Sequence, residues 1–128
     1  MIPGSKNGHP SVKKSFLFAI QGLRGAFATE RNIKIMAAAG ICAIVAGIVL
    51  RLDLISWALI VLCVGMVLSA ELLNTAIETA MDLVSPEFHP FAGRAKDIAA
   101  AAVWVLSIAA ALIGILVYAN AILKLGII

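Results

Sequence analysis

The sequence predicts an all-α membrane protein, with an amphipathic helix lying on the membrane surface followed by three transmembrane helices. Three observations carry that prediction. Hydrophobic residues make up 62% of the 128 positions and charged ones 13%, with a mean hydropathy of +1.06. Soluble domains run near half apolar and about a quarter charged. The apolar residues are gathered into three long runs, and the basic ones are concentrated ahead of the first run. A short chain has little interior per residue and cannot hide this much apolar surface from water. The composition therefore speaks against a soluble monomer, a disordered chain or a multidomain enzyme.

Residues 1–10, MIPGSKNGHP, are polar and rich in Gly and Pro, which predicts a flexible tail. No apolar core follows directly, so they do not read as a signal peptide. From residue 11 onward a single membrane domain is expected.

The first helix is expected over about 11–29. At 100° per residue, Val12, Phe16, Ile20, Leu23 and Phe27 share one arc, with Lys13, Lys14, Gln21 and Arg24 opposite. Leu17 and Phe18 blur the division. An apolar stripe opposite a basic face is the mark of a helix in the headgroup layer, although packing against protein partners would give a similar pattern. Lys6, Lys13, Lys14, Arg24, Arg31 and Lys34 all fall in the first third of a chain with net charge +3. With only 6% aromatic residues and no basic face on a soluble core, anionic lipid headgroups suit this segment better than nucleic acid.

Three spans follow, over about 33–50, 54–83 and 95–122. The first is short against the roughly 20 residues a crossing needs, so Ile33 and a snorkelling Lys34 must contribute. The second is uncharged from Leu54 to Ala70, continues in helical pattern through Glu71, and stops before Ser85-Pro86. The loop SPEFHPFAGR separates it from the third, which is uncharged from Ile98 to Leu123. The side carrying the N-terminal segment, Arg94 and Lys96 is richer in Lys and Arg than the side carrying Arg51 and Lys124. The positive-inside rule places the first side, with the N-terminus, in the cytoplasm of a multi-pass inner-membrane protein.

Cys42 and Cys63 lie inside apolar runs without metal-like spacing and are expected to be buried small hydrophobes. Ala39, Ala43 and Gly47, and likewise Ala110 and Gly114, are small residues four apart that suit close helix packing or self-association.

Charged groups within a membrane helix are expensive and mark function by default. Glu71, Asn74, Glu78 and Asp82 share an arc of about 80° on the second span, with Thr75 at its flank. Counting about 20 residues inward from Leu54 reaches the inner hydrocarbon border near Leu73. The acids then straddle the border between lipid and cytoplasm, with Lys96 and Asp97 opening the third span at a similar level. A reaction joining a membrane-dissolved substrate to a water-dissolved one needs that placement.

Such carboxylates suit Mg²⁺, which is commonly held by one or two acids plus substrate phosphates and water. Phosphoryl transfer asks for positioning, charge neutralisation and a base near the attacking hydroxyl. Glu78, with Glu30 from the end of the first helix, would hold metal; Glu71, nearest the lipid, would take the hydroxyl proton. Lys96 would pair with phosphate or with a carboxylate. The same stripe would also serve as a polar network fixing helix register in a non-catalytic assembly subunit, or as the lining of a small ion or proton channel. A channel favours acids near mid-span, which the depth count does not give. No P-loop, soluble-kinase signature, Rossmann glycine pattern or zinc spacing is present. Ser69 has no visible base partner, and His89 between Phe88 and Pro90 reads as an ordinary loop residue.

The stretch Glu71-Leu-Leu-Asn74-Thr-Ala-Ile-Glu78, with Asp82 after it, resembles the signature of the prokaryotic diacylglycerol kinases, a family that includes the undecaprenol kinases. The block Gly93-Arg-Ala-Lys96-Asp97 through Val103 resembles its second signature, and Gly22-Leu23-Arg24 through Glu30 its N-terminal element. The resemblance covers roughly residues 12–120. It implies a homotrimer of three-span subunits, with sites assembled between neighbours, that transfers the γ-phosphoryl of MgATP to a lipid hydroxyl. By that resemblance Glu71 is the general base, Glu30 and Glu78 the metal carboxylates, and Arg24, Asn74, Lys96 and Asp97 further site positions. The segments around Glu30–Lys34 and Asp82–Pro90 look closer to the undecaprenol kinase branch. Met36 stands where the diacylglycerol branch tends to carry a second acid. The resemblance therefore implies undecaprenol as the lipid substrate, with diacylglycerol as the alternative.

Overall fold

The computed structural model describes residues 11–126 and is all helical. The expected tail at 1–10 lies outside the described residues. The order is α1 (Val12–Thr29), α2 (Arg31–Val49), α3 (Leu54–Val84) and α4 (Pro90–Lys124). Three of these, α2, α3 and α4, are long and apolar enough to cross a membrane.

Local chemistry sets each boundary. Ser11 caps α1 by accepting a hydrogen bond from the Lys14 amide. Glu30 is extended, so one residue ends α1 and begins α2. The turn from α2 to α3 carries Arg51 at φ 54°, a left-handed conformation that costs a non-glycine residue energy. Asp53 follows as the α3 cap, its carboxylate accepting from the Ser56 amide at 2.8 Å. At the other end of the hairpin the chain departs from the expected loop over 85–94. Helix α4 begins at Pro90, five residues earlier than the predicted 95, because the His89 ring accepts the Phe91 amide at 3.1 Å and proline is preorganised for a first helical turn. His89 is thus a helix cap, not a plain loop residue.

At the helical rise of 1.5 Å per residue, α2 is about 28 Å long, α3 about 46 Å and α4 about 52 Å. Hydrocarbon accounts for roughly 30 Å. Helices α3 and α4 therefore have several turns to spare; counted from Leu54, Glu78 and Asp82 lie beyond that length and Glu71 just within it.

Helix α3 is the spine. It packs along α4, less extensively on α2, and only sparsely on α1. Two glycines let α2 approach it: a Cβ on Gly40 would meet Val64 Cγ1 at 2.9 Å, and one on Gly47 would meet the Trp57 ring at 2.8 Å. A core of Leu52, Ile60, Val117 and Ala121, flanked by Trp57 and Tyr118, closes the end near the α2–α3 turn. There the Tyr118 hydroxyl on α4 donates to the Ala43 carbonyl on α2. Most large apolar side chains nevertheless point outward, among them Ile41, Ile48, Leu62, Trp104, Ile115 and Leu116. That is the reverse of a soluble fold and what a lipid solvent demands. Cys42 is exposed and Cys63 only half-buried, contrary to the buried positions expected, because hydrocarbon relieves a thiol of any need for a protein interior.

Asp53 also accepts an ion pair from Lys124 at 3.1 Å, tying the start of α3 to the end of α4. The Ser56 hydrogen bonds, followed by Lys124, hold its carboxyl at about 2, below the ordinary 3.8. A depressed acid stabilises the fold above its unfolded pKa and loses that contribution as pH falls through the folded one. Thermal unfolding in detergent should therefore show the wild type losing an Asp53-dependent increment as pH drops from 3.8 toward 2. Asp53→Asn should lack that increment already at neutral pH; parallel pH profiles for the two proteins would contradict the assignment.

Candidate functional site

The polar stripe lies where α3 runs beyond its apolar half. Spacings of three and four put Glu71, Asn74 and Glu78 on one face, and the structure turns that face inward at its start: Glu71 is 3% and Asn74 7% exposed. A carboxylate this buried needs a partner, since an ion taken out of water costs several kcal/mol even after relaxation. The Asn32 side chain, at the start of α2, lies beside the Glu71 carboxylate. Glu78 and Glu30 lie near enough to act on it as like charges. Asn74 donates from Nδ2 to Glu78 Oε1 at 3.2 Å, while its Oδ1 is buried with no partner. Ile33, next to Asn32 on α2, is 1% exposed.

Glu30, at the α1–α2 junction, and Glu71 and Glu78, on α3, thus lie in one region of the molecule. Asn32 was not singled out by the sequence reading, and its only signal was an amide beside the junction acid. Lys96 pairs with the Asp82 carboxylate one helix away. This pair forms part of a second, shallow polar hollow of about 220 Å³ between the α3 end and the α4 start, which Glu87 and His89 also line. Arg24 and Asp97 are not drawn into either cluster; both are exposed and make no ion pair among the described residues.

The donor set is oxygen throughout, with an unpartnered amide oxygen at its centre. Among the described residues, no three His, Cys, Asp or Glu side chains form a ready metal cage. Along the helix axis Glu71 and Glu78 are about 10 Å apart, so one small ion does not bridge them directly. The arrangement fits Mg²⁺ of the kind held by one or two carboxylates and completed by phosphate and water. It does not fit a structural metal.

A helical membrane hairpin with its acids gathered at one end defines the class: an integral-membrane protein with an oxygen-rich site at a helix end. Comparison with known proteins sharpens this. The family model for prokaryotic diacylglycerol kinase matches residues 17–118, and the chain belongs to that family. It is 42% identical over 105 residues to the undecaprenol kinase of Bacillus subtilis, covering 82% of this chain and 85% of that one. It is also 42% identical over 106 residues to a diacylglycerol kinase of Synechocystis, covering 82% of this chain and 61% of that longer protein. To the diacylglycerol kinase of Escherichia coli it is 33% identical over 109 residues, 85% of this chain and 89% of that one. The chain is an enzyme, a kinase of the prokaryotic lipid kinase family.

The Lys96–Asp82 pair has side chains 37% and 67% exposed, and pairs this open contribute at most about 1 kcal/mol. Lys96→Ala should accordingly leave chemical stability within about 1 kcal/mol of wild type. A loss of stability well beyond that, measured by denaturant unfolding in micelles, would show that the pair holds the hairpin together.

Proposed function

We propose that this protein phosphorylates a membrane lipid alcohol, most favourably undecaprenol, with MgATP as donor. The observation that carries the reading is the buried Glu71 carboxylate, midway along α3 where its apolar half gives way to acids, with Glu30 and Glu78 near it. Membership of the lipid kinase family supports it, as does the similarity to a protein named as an undecaprenol kinase. Relatives named as diacylglycerol kinases make diacylglycerol the alternative acceptor.

In this reading Glu71 takes the proton of the lipid hydroxyl as its oxygen attacks the γ-phosphorus, and ADP leaves. Glu78 and Glu30 would hold Mg²⁺, which when bound neutralises charge on the phosphate oxygens. Asn74 keeps Glu78 oriented through the 3.2 Å hydrogen bond and offers its free Oδ1 toward the same place. Lys96 would exchange Asp82 for phosphate oxygens when nucleotide enters the polar hollow, and Asp97 and Arg24 would contribute once a neighbouring subunit is in place. Both of those groups are exposed in the lone chain, which agrees with a site completed by a neighbouring subunit. A homotrimer in the bacterial inner membrane, with α1 on the cytoplasmic headgroups, brings these parts together.

Transfer of radiolabelled phosphate from ATP in vesicles offering undecaprenol and diacylglycerol side by side tests the reading. Glu71→Gln should lower turnover by roughly 10²–10⁴-fold, the usual weight of a general base, with helical content kept. Transfer to neither lipid by the wild type, or full activity in Glu71→Gln, would reject it.

A further inference from the structure

Among the described residues, α1, α3 and α4 each start on a side-chain cap, and the three caps differ in chemistry. They are a hydroxyl at Ser11, a carboxylate at Asp53 and an imidazole at His89. The hydroxyl does not change charge, and the Asp53 carboxyl titrates at about 2. Imidazole is the side-chain group whose charge ordinarily changes between about pH 5 and 8.

The hydrogen bond at His89 fixes where its proton sits. Nδ1 accepts the Phe91 amide at 3.1 Å, so the ring is neutral and carries its hydrogen on Nε2. An imidazolium has an N–H on both nitrogens and accepts nothing. Capping and protonation therefore exclude each other. Little else at this helix start takes over the task. Pro90 has no amide hydrogen, and the Gly93 amide already donates to the His89 carbonyl at 3.0 Å. Phe91 and Ala92 are left as the amides that need an outside acceptor. The first turn, Pro90 to Gly93, carries no acid, and a cation at a helix N-terminus opposes the helix dipole.

The ring is exposed, so a proton from solvent reaches Nδ1 as soon as the amide lets go. His89 lines the polar hollow of about 220 Å³ together with Asp82 from α3, Glu87 from the loop and Lys96 from α4. Arg94 and Asp97 are exposed and do not line it. With the ring neutral, two carboxylates share the hollow with one ammonium. The hollow thus tolerates an added positive charge that the helix end repels.

We propose that His89 is a pH-sensitive switch at the start of α4: neutral, it caps the helix, and protonated, it releases the Phe91 amide and loosens the first turn. The turn that follows carries Lys96, which pairs with Asp82 across the hollow, so the loosening occurs beside the polar groups that hold the two helices together at this end. The switch is a property of the fold and stands whether or not the lipid kinase reading does.

NMR of the ¹⁵N-labelled full chain in lipid nanodiscs, taken from pH 8 to pH 5, tests it, with His9→Gln as background so that one imidazole remains. At pH 8 the ring should carry its proton on Nε2. The Phe91 amide resonance should move with the same midpoint as the ring nitrogens, and its hydrogen-exchange protection factor should fall at least threefold across the titration. In His89→Asn, whose side-chain oxygen caps without titrating, Phe91 protection should stay within twofold over the same range. A ring protonated on Nδ1 at pH 8, Phe91 protection unchanged through the ring's titration, or an equal loss in His89→Asn would each overturn the proposal. Should the asparagine variant fail to fold, the tautomer and the shared midpoint in the His9→Gln protein still decide.

Discussion

Burying a carboxylate midway along α3, where its apolar half ends, with two more acids near it, sets the terms for the rest of the structure. Glu71 and Ile33 are both shut away from water. Glu30 and Glu78 cannot relieve Glu71, because they carry the same charge. The Asn32 amide lies beside it, and Asn74, one turn along, has an oxygen without a partner among the described residues. Such a cluster is poised for a cation that arrives with its own ligands. In the proposed reading the donor nucleotide brings that cation, so the site is completed by substrate binding.

The division of α3 into an apolar outer half and an acidic inner half links fold to chemistry. One continuous face of a single helix passes from Ile60 through Val67 to Glu71 and Glu78. Its apolar part lines a cleft between α2 and α4, and its acidic part carries groups that belong in water. The surplus length of α3 and α4 beyond the hydrocarbon thickness makes this possible. The Asp53–Lys124 pair and the Tyr118–Ala43 hydrogen bond hold the opposite end of the hairpin together.

Much of this was legible from residue spacing, because a membrane helix leaves few ways to arrange its polar groups. The three apolar runs and the 3.6-residue period of Glu71, Asn74 and Glu78 located the helices and the acid face within a few residues. The early start of α4 was not legible: it depends on a histidine ring capping a helix, while the prolines around it read equally well as a loop. The part played by Asn32 depends on how α2 meets α3, which no local pattern encodes. Of the small residues four apart, Gly47 does bring α2 close to α3, together with Gly40, while Ala39, Ala43, Ala110 and Gly114 line the cleft between α2 and α4; small residues permit close approach but do not compel it. The exposed position of Cys42 follows from lipid being an adequate solvent for a thiol.

The account depends most on Glu30 and Glu78 sharing one divalent cation site with the nucleotide, within reach of Glu71. Mn²⁺ replacing Mg²⁺ makes that visible, because its unpaired electrons broaden nearby nuclei. In protein carrying ¹³C-labelled glutamate carboxyls, Mn²⁺ added with a non-hydrolysable ATP analogue should broaden Glu30, Glu71 and Glu78 together and leave Glu87 less affected. Broadening of Glu87 alone, or equal weak broadening of every glutamate, would contradict the account.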